Sequence, residues 1–475
     1  MLFSSLSFLF GFLPALLLAA SFARLGGARI YPVLLITAST VFYAWFVPAY
    51  VFLLGISALF NFVLSTYIEK GARPRLFAVG IAANLLALGY FKYWNFTVEN
   101  FDQLFGLPFS LHHIVLPLAI SFITFEQIAF LSDVHSGRVE RGSLAKYLAF
   151  ITLFPKLIAG PIIRYTEMLP QFMALRTISM SSFVTGLCIF FVGLFKKVAI
   201  ADQLGPTVDR IYGAATSSLV TGQDAALATA AYAAQIYFDF SGYSDMAIGL
   251  AWMLGLTLPV NFYSPYKASS IIEFWRRWHI TLSRFLRDYL YIPLGGSRGS
   301  RHRTYTNLLL VMTLGGLWHG AGWTFVVWGL LHGVALVANH VWNAARPKAL
   351  SESKVGILAG HLVTLGVVLI GWVFFRAADL PAAGRIIRSL AYPGAVSIDN
   401  TTLYTLAVAW LVMLFGPNTA QMFGYRYLFT QRQEDFLRPI PLVRYKTVVF
   451  VGVLAAIALI LTSGGNSNAF IYFQF

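Results

Sequence analysis

The chain alternates between long apolar runs and short polar breaks. Apolar stretches cover 2–22, 30–47, 50–68, 76–96, 114–133, 147–163, 181–200, 225–257, 305–317, 323–343, 355–375, 402–422 and 447–463. Most approach the roughly 20 residues that a helix needs to cross a hydrocarbon layer of about 30 Å. The pattern predicts an all-α integral membrane protein with a single transmembrane domain over 1–463 and a short tail over 464–475. Residues 2–22 lack a basic start and a small-residue cleavage pattern, so they read as a first span, not a removable signal. The stretch 147–163 contains Pro155, Lys156 and Pro161, which interrupt a spanning helix and predict a re-entrant segment.

Composition supports this reading and narrows it. Of 475 residues, 58% are hydrophobic and only 11% charged; mean hydropathy is +0.71. Soluble domains carry about 25% charged residues, so soluble and disordered classes are excluded. The 34 Lys and Arg against 19 Asp and Glu give +15. In a membrane protein such an excess marks cytoplasmic loops. Basic residues follow the first, third and fifth stretches, whereas 97–113 has Glu99 and Asp102 and no Lys or Arg. Both termini are therefore expected outside the cytoplasm, and the arginine-rich loop 258–304 inside. No long basic run exists, so no nucleic-acid partner is expected. The single cysteine, Cys188, permits no intramolecular disulfide.

Four places carry candidate chemistry. The first is Leu317-Trp318-His319-Gly320-Ala321-Gly322-Trp323, near the tip of an expected helical hairpin over 305–343. Fourteen residues from Tyr305 reach roughly 21 Å into the membrane, and an ionisable group at that depth points to function. Imidazole is the usual general base near pH 7; packing against a backbone carbonyl is the alternative. The second is Glu273 to Arg287, where Trp275, Trp278, Leu282, Phe285 and Tyr289 recur at helical spacing. One basic amphipathic helix is expected at the cytoplasmic face, bound to lipid headgroups. Arg276, Arg277 and Arg298 would alternatively hold a phosphate-bearing donor, and His279 would orient or catalyse. The third is Asp239 and Asp245 within an apolar span. Burying them unpaired is costly, so pairing with the arginines of 276–287 is expected; a transporter-like proton relay is the rival. Glu126 and Asp133 raise the same question. The fourth is the ending Phe470-Ile471-Tyr472-Phe473-Gln474-Phe475, an interfacial anchor or a peptide that folds back. No GxxxxGK[ST], HExxH, GxSxG or Cys/His metal spacing occurs, so no metal is expected.

Taken together, Leu116 to Phe122, Leu157-Ile158-Ala159-Gly160-Pro161, Tyr237 to Gly249, Glu273 to Gly296, Gly315 to Gly320 and Gly371 to Arg376 resemble the membrane-bound O-acyltransferase (MBOAT) family, in its alginate O-acetyltransferase membrane-subunit branch. The resemblance implies a ring of about 11–12 transmembrane helices with re-entrant segments around a central tunnel. It implies His319 as the family histidine and His279 as a second one. The ending is similar to the F-x-Y-x-x-F terminus of bacterial envelope-acylation systems. That likeness implies Tyr472 as an acyl acceptor, with Phe470 and Phe475 docking the tail. The implied activity is acetyl transfer from cytoplasmic acetyl-CoA, a donor substrate and not a bound cofactor. The acyl group would pass through Tyr472 to an extracytoplasmic esterase-like (SGNH-type) partner, for O-acetylation of an alginate-like polysaccharide or peptidoglycan. A multi-pass protein of the bacterial inner membrane follows, in contact with lipids. Direct transfer without the tyrosine, a proton-coupled transporter using Asp239, Asp245 and Glu126, and a scaffold whose tail only recruits partners are the other readings of the same residues.

Overall fold

A computed structural model describes residues 1–25, 30–106, 114–174, 178–345, 353–392, 394, 398–424, 444–464 and 470–471. Tyr472 and Phe475 lie outside the described residues, as does most of the basic loop 423–446. Every regular element among the described residues is helical. Among the described residues, six helices are long and apolar enough to cross a membrane: Ala49–Gly71, Pro74–Phe105, Met180–Ala214, Trp323–Ala345, Lys354–Arg376 and Tyr445–Ser463. Ser7–Ala23, Ile30–Ala44 and Asn400–Leu414 are shorter apolar helices. Two further long helices, Gly222–Met253 and Arg301–His319, carry polar residues that bear on function.

The chain forms two compact units. The first comprises Met1–Phe190 with Met246–Pro259. Its helices are joined by polar contacts between apolar surfaces, because lipid gives helices no hydrophobic reason to associate. Asn61 and Asn84 exchange amide hydrogen bonds of 3.2 and 2.7 Å between neighbouring helices. The expected re-entrant stretch is two short helices, Leu144–Ile151 and Phe154–Leu157, followed by non-helical chain. Residues 151–163 are all buried. Pro155 sits in the first turn of the second helix, where a missing N–H costs little. The N–H of Phe154 donates to Ser39 Oγ at 3.0 Å, and Lys156 forms a buried ion pair with Glu126. Glu126 also accepts the backbone N–H of Ile163. Asp133 pairs with Arg138 at 3.2 Å.

The second unit comprises Phe191–Asp245 with Val260–Phe475. Arg301–His319 and Trp323–Ala345 form the hairpin expected from sequence. Their backbones meet closely: a Cβ on Gly316 would lie 2.3 Å from the Phe325 carbonyl, and one on Gly329 2.4 Å from that of Met312. Neither position has room for a side chain. Trp278, Trp328 and Trp372 are among the largest fully buried side chains.

Candidate active site

His319 is the last residue of Arg301–His319, a helix capped at its start by Ser300 Oγ. Nineteen residues make it about 28 Å long, so the histidine stands far from the basic start at Arg301 and Arg303. The ring is buried, with edge-on contacts to Trp318 (4.9 Å), Trp328 (5.1 Å) and Phe375 (5.2 Å). These aromatic walls exclude water, which strengthens any charge interaction formed there.

The centroid of His279 lies 6.4 Å from that of His319. The segment around it departs from the single amphipathic helix expected over 273–287. There are two helices, Ile271–Arg277 and Ile280–Leu286, broken at Trp278 and His279. The physical cause is non-local. Tyr263 N–H donates to the Arg277 carbonyl at 2.9 Å, and Ile280 N–H donates to the Asn261 carbonyl at 3.0 Å. The chain at 261–263 thus takes backbone partners that a continuous helix would have kept. His279 adopts the left-handed region, with φ 43°, a conformation that non-glycine residues hold only where surroundings enforce it.

Asn261 is the orienting group. Its Oδ1 accepts from Thr281 N–H at 3.2 Å and Thr281 Oγ1–H at 2.9 Å. The same oxygen lies 3.2 Å from His279 Nδ1, so Nδ1 carries the hydrogen. Burial pushes this imidazole down to about 3, and the ring is neutral. Nε2 therefore holds a lone pair, buried and without a hydrogen-bond partner among the described residues. Sequence reasoning missed Asn261; its only signal is an amide inside the apolar run Leu258-Pro259-Val260-Asn261-Phe262.

The expected arginine partners for Asp239 and Asp245 are corrected by the structure. Lys196 Nζ lies 2.6 Å from Asp245 Oδ2, and Lys197 Nζ lies 2.6 Å from Asp239 Oδ1 and 2.7 Å from Asp202 Oδ1. The two lysines open a π-helical segment, Lys196–Ala201, which such sites often carry. Gly242 lets the helices approach: a Cβ there would lie 2.7 Å from the Gly193 carbonyl and 3.2 Å from Lys196 Cβ. The arginines bind locally instead. Arg277 pairs with Glu273 one turn earlier, and Arg287 with Asp288 at 2.7 Å. Arg276 and Arg298 are exposed. The turn from Leu294 to Gly299 is tied to the helix bearing His319, its Leu294 and Gly296 carbonyls accepting from Arg303 and Asn307 at 3.0 Å each.

The tail begins inside this unit. Phe470 and Ile471 are buried. Phe470 packs on Tyr243 at 4.8 Å and Phe240 at 5.7 Å, and Phe240 meets His279 edge-on at 4.7 Å. Ile471 N–H donates to Asp239 Oδ2 at 2.9 Å.

Comparison with known proteins identifies the class of this arrangement. The family model "MBOAT, membrane-bound O-acyltransferase family" matches residues 137–377, which contain both histidines. The chain is 42% identical over 450 residues to a probable alginate O-acetylase AlgI of Pseudomonas aeruginosa, covering 91% of this chain and 83% of that one. It is 39% identical over 514 residues to a probable alginate O-acetylase AlgI of Azotobacter vinelandii, covering all of both. It is 36% identical over 527 residues to the peptidoglycan O-acetyltransferase of Helicobacter pylori, covering 100% of this chain and 98% of that one. The chain belongs to the membrane-bound O-acyltransferase family and is a multi-pass membrane O-acyltransferase.

Proposed function

We propose that this enzyme moves acetyl groups from cytoplasmic acetyl-CoA, through Tyr472, to an extracytoplasmic esterase-like partner that O-acetylates an envelope or secreted polysaccharide. The observation that carries the reading is the chain of contacts from the tail to the two imidazoles: Phe470 on Phe240, Phe240 on His279, and His279 6.4 Å from His319. The names of the relatives, alginate O-acetylase and peptidoglycan O-acetyltransferase, support an alginate-like polymer or peptidoglycan as final acceptor. The protein sits in the bacterial inner membrane with both termini outside the cytoplasm, as its loop charges favour.

His319 takes the proton of the Tyr472 hydroxyl as that oxygen attacks the acetyl carbonyl. The carbon–sulfur bond breaks, and the departing thiolate recovers the proton from His319, so no proton is consumed. A hydroxyl at about 2.8 Å from each of two imidazole nitrogens fits between rings this close. His279, held neutral with Nδ1–H on Asn261, offers Nε2 to the same oxygen and fixes its position. A phenol with a pKa near 10 is a better leaving group than a sugar or serine hydroxyl, so the acetyl-tyrosine transfers onward downhill. Arg276 and Arg298 attract the phosphates of the donor, while Arg277 holds its own segment through Glu273.

Exposure of the purified protein to labelled acetyl-CoA, followed by intact-mass measurement of the C-terminal peptide, tests the relay. An acetyl adduct on Tyr472, lost in Tyr472→Phe, is expected. A fully active, unlabelled Tyr472→Phe variant would establish direct transfer to partner or polymer instead.

A further inference from the structure

The helix Gly222–Met253 presents a buried carboxylate, Asp239, whose two oxygens have different partners. Oδ1 faces Lys197 Nζ at 2.6 Å. Oδ2 accepts the backbone N–H of Ile471 at 2.9 Å. The donor is a main-chain amide one residue before Tyr472, and a carboxylate acceptor makes this a charge-assisted bond, stronger than a neutral one. Phe470, on the other side of Ile471, is buried against Tyr243 and Phe240.

We propose that Asp239 is a positioning residue for acyl transfer: it sets the register of the tail by binding the Ile471 amide, so that Tyr472 is delivered to the imidazoles and its neighbours are not. The inference rests on the relay through Tyr472. Lys197, held also by Asp202, fixes the carboxylate and keeps Oδ2 aimed at the tail. A backbone bond suits this task because it selects position and is blind to side-chain size. Residue 471 must then supply an N–H, and any residue but proline does so.

Three substitutions separate registration from folding. Asp239→Leu removes the acceptor and leaves Lys197 paired with Asp202. Asp239→Asn keeps an uncharged acceptor. Ile471→Pro removes the donor without altering any residue of the helix that carries Asp239. Acetylation of Tyr472, read by intact mass over time, should slow roughly ten- to a hundredfold in Asp239→Leu and Ile471→Pro, the loss of one charged hydrogen bond, and less in Asp239→Asn. The KM for acetyl-CoA should not move. Combining Asp239→Leu with Ile471→Pro should be no worse than either alone, because both delete the same bond. Independent, multiplying losses would overturn the proposal, as would normal tail acetylation in Asp239→Leu. If Asp239→Leu does not fold, Ile471→Pro decides alone: unchanged acetylation overturns the proposal.

The relay itself can fail separately. In a Cys188→Ser background, the thiol introduced by Ile471→Cys should be shielded from a maleimide when Asp239 is present and reactive in Asp239→Leu. Shielding with no acetyl on Tyr472 would retain the tail anchor and discard the relay. Equal reactivity with and without Asp239 would discard the anchor.

Discussion

Glu126 in the first unit and Asp239 in the second use the same set of bonds for opposite ends. Glu126 takes Lys156 and the amide of an isoleucine, Ile163. Asp239 takes Lys197 and the amide of an isoleucine, Ile471. Ile163 is seven residues from Lys156, within chain that is buried throughout, so that set closes on itself and fixes a non-helical segment. Ile471 lies beyond the last helix, on the segment proposed to carry the acyl group, so the second set would close only when that segment is docked. A buried carboxylate with one lysine and one amide is thus a rivet where the amide is captive and a berth where it is not.

The strongest way to sharpen this contrast is to remove chemistry while sparing both carboxylates. His319→Ala should lower acetyl transfer by about 10²–10⁴-fold, the usual contribution of a general base, with normal yield of membrane-inserted protein. Wild-type turnover in that variant would remove the general-base role.

Breaking the rivet should act on folding. Glu126→Ala leaves Lys156 buried without its partner and should cost about 3–5 kcal/mol, read as a lower melting temperature and reduced yield. Replacing both partners, Glu126→Leu with Lys156→Met, should restore much of that stability, since apolar substitution of a whole buried pair is often neutral. If the double variant is as unstable as the single one, the pair has a role beyond mutual neutralisation.

A smaller effect is expected at the orienting amide. Asn261→Leu should lower kcat roughly tenfold by releasing His279 from its tautomer, the worth of about one hydrogen bond, and leave the donor KM in place. An unchanged kcat would make Asn261 a cap for Thr281 alone. The smallest effect belongs to the exposed arginines. Arg276→Ala and Arg298→Ala should each raise the acetyl-CoA KM about two- to fivefold with kcat unchanged, as loss of a solvated phosphate contact does. If neither KM moves, these side chains serve the lipid headgroups.

What the sequence made legible follows from how local each feature is. The hairpin that turns just after His319 is written in adjacent residues: an apolar run, two glycines, a turn and a second run. The re-entrant stretch is likewise announced by Pro155 and Pro161. The break at His279 is not, because its cause is hydrogen bonding from residues 261–263, some sixteen positions upstream. The helical spacing of Trp275, Trp278, Leu282 and Phe285 misleads here, because Trp275 lies on the first short helix, Leu282 and Phe285 on the second, and Trp278 at the break between them. The lysine partners of Asp239 and Asp245 depend on Gly242 letting its helix approach the backbone at Gly193, a contact with no one-dimensional signature. The arginines of 276–287 are numerous and near in sequence, yet Glu273 and Asp288 hold two of them locally.

The attachment of the tail has a kinetic meaning. Five residues join Gly464, at the end of the last helix, to Phe470. So few residues keep Phe470 and Ile471 at a high effective concentration beside their partners. One hydrogen bond from a backbone amide and one aromatic side chain, too weak to capture a free peptide from dilute solution, are then enough to keep the site occupied. Weak attachment also means rapid departure. If the tail carries acyl groups as proposed, its turnover is limited by how fast it lets go, so tighter docking of Phe470 would slow that cycle, not speed it.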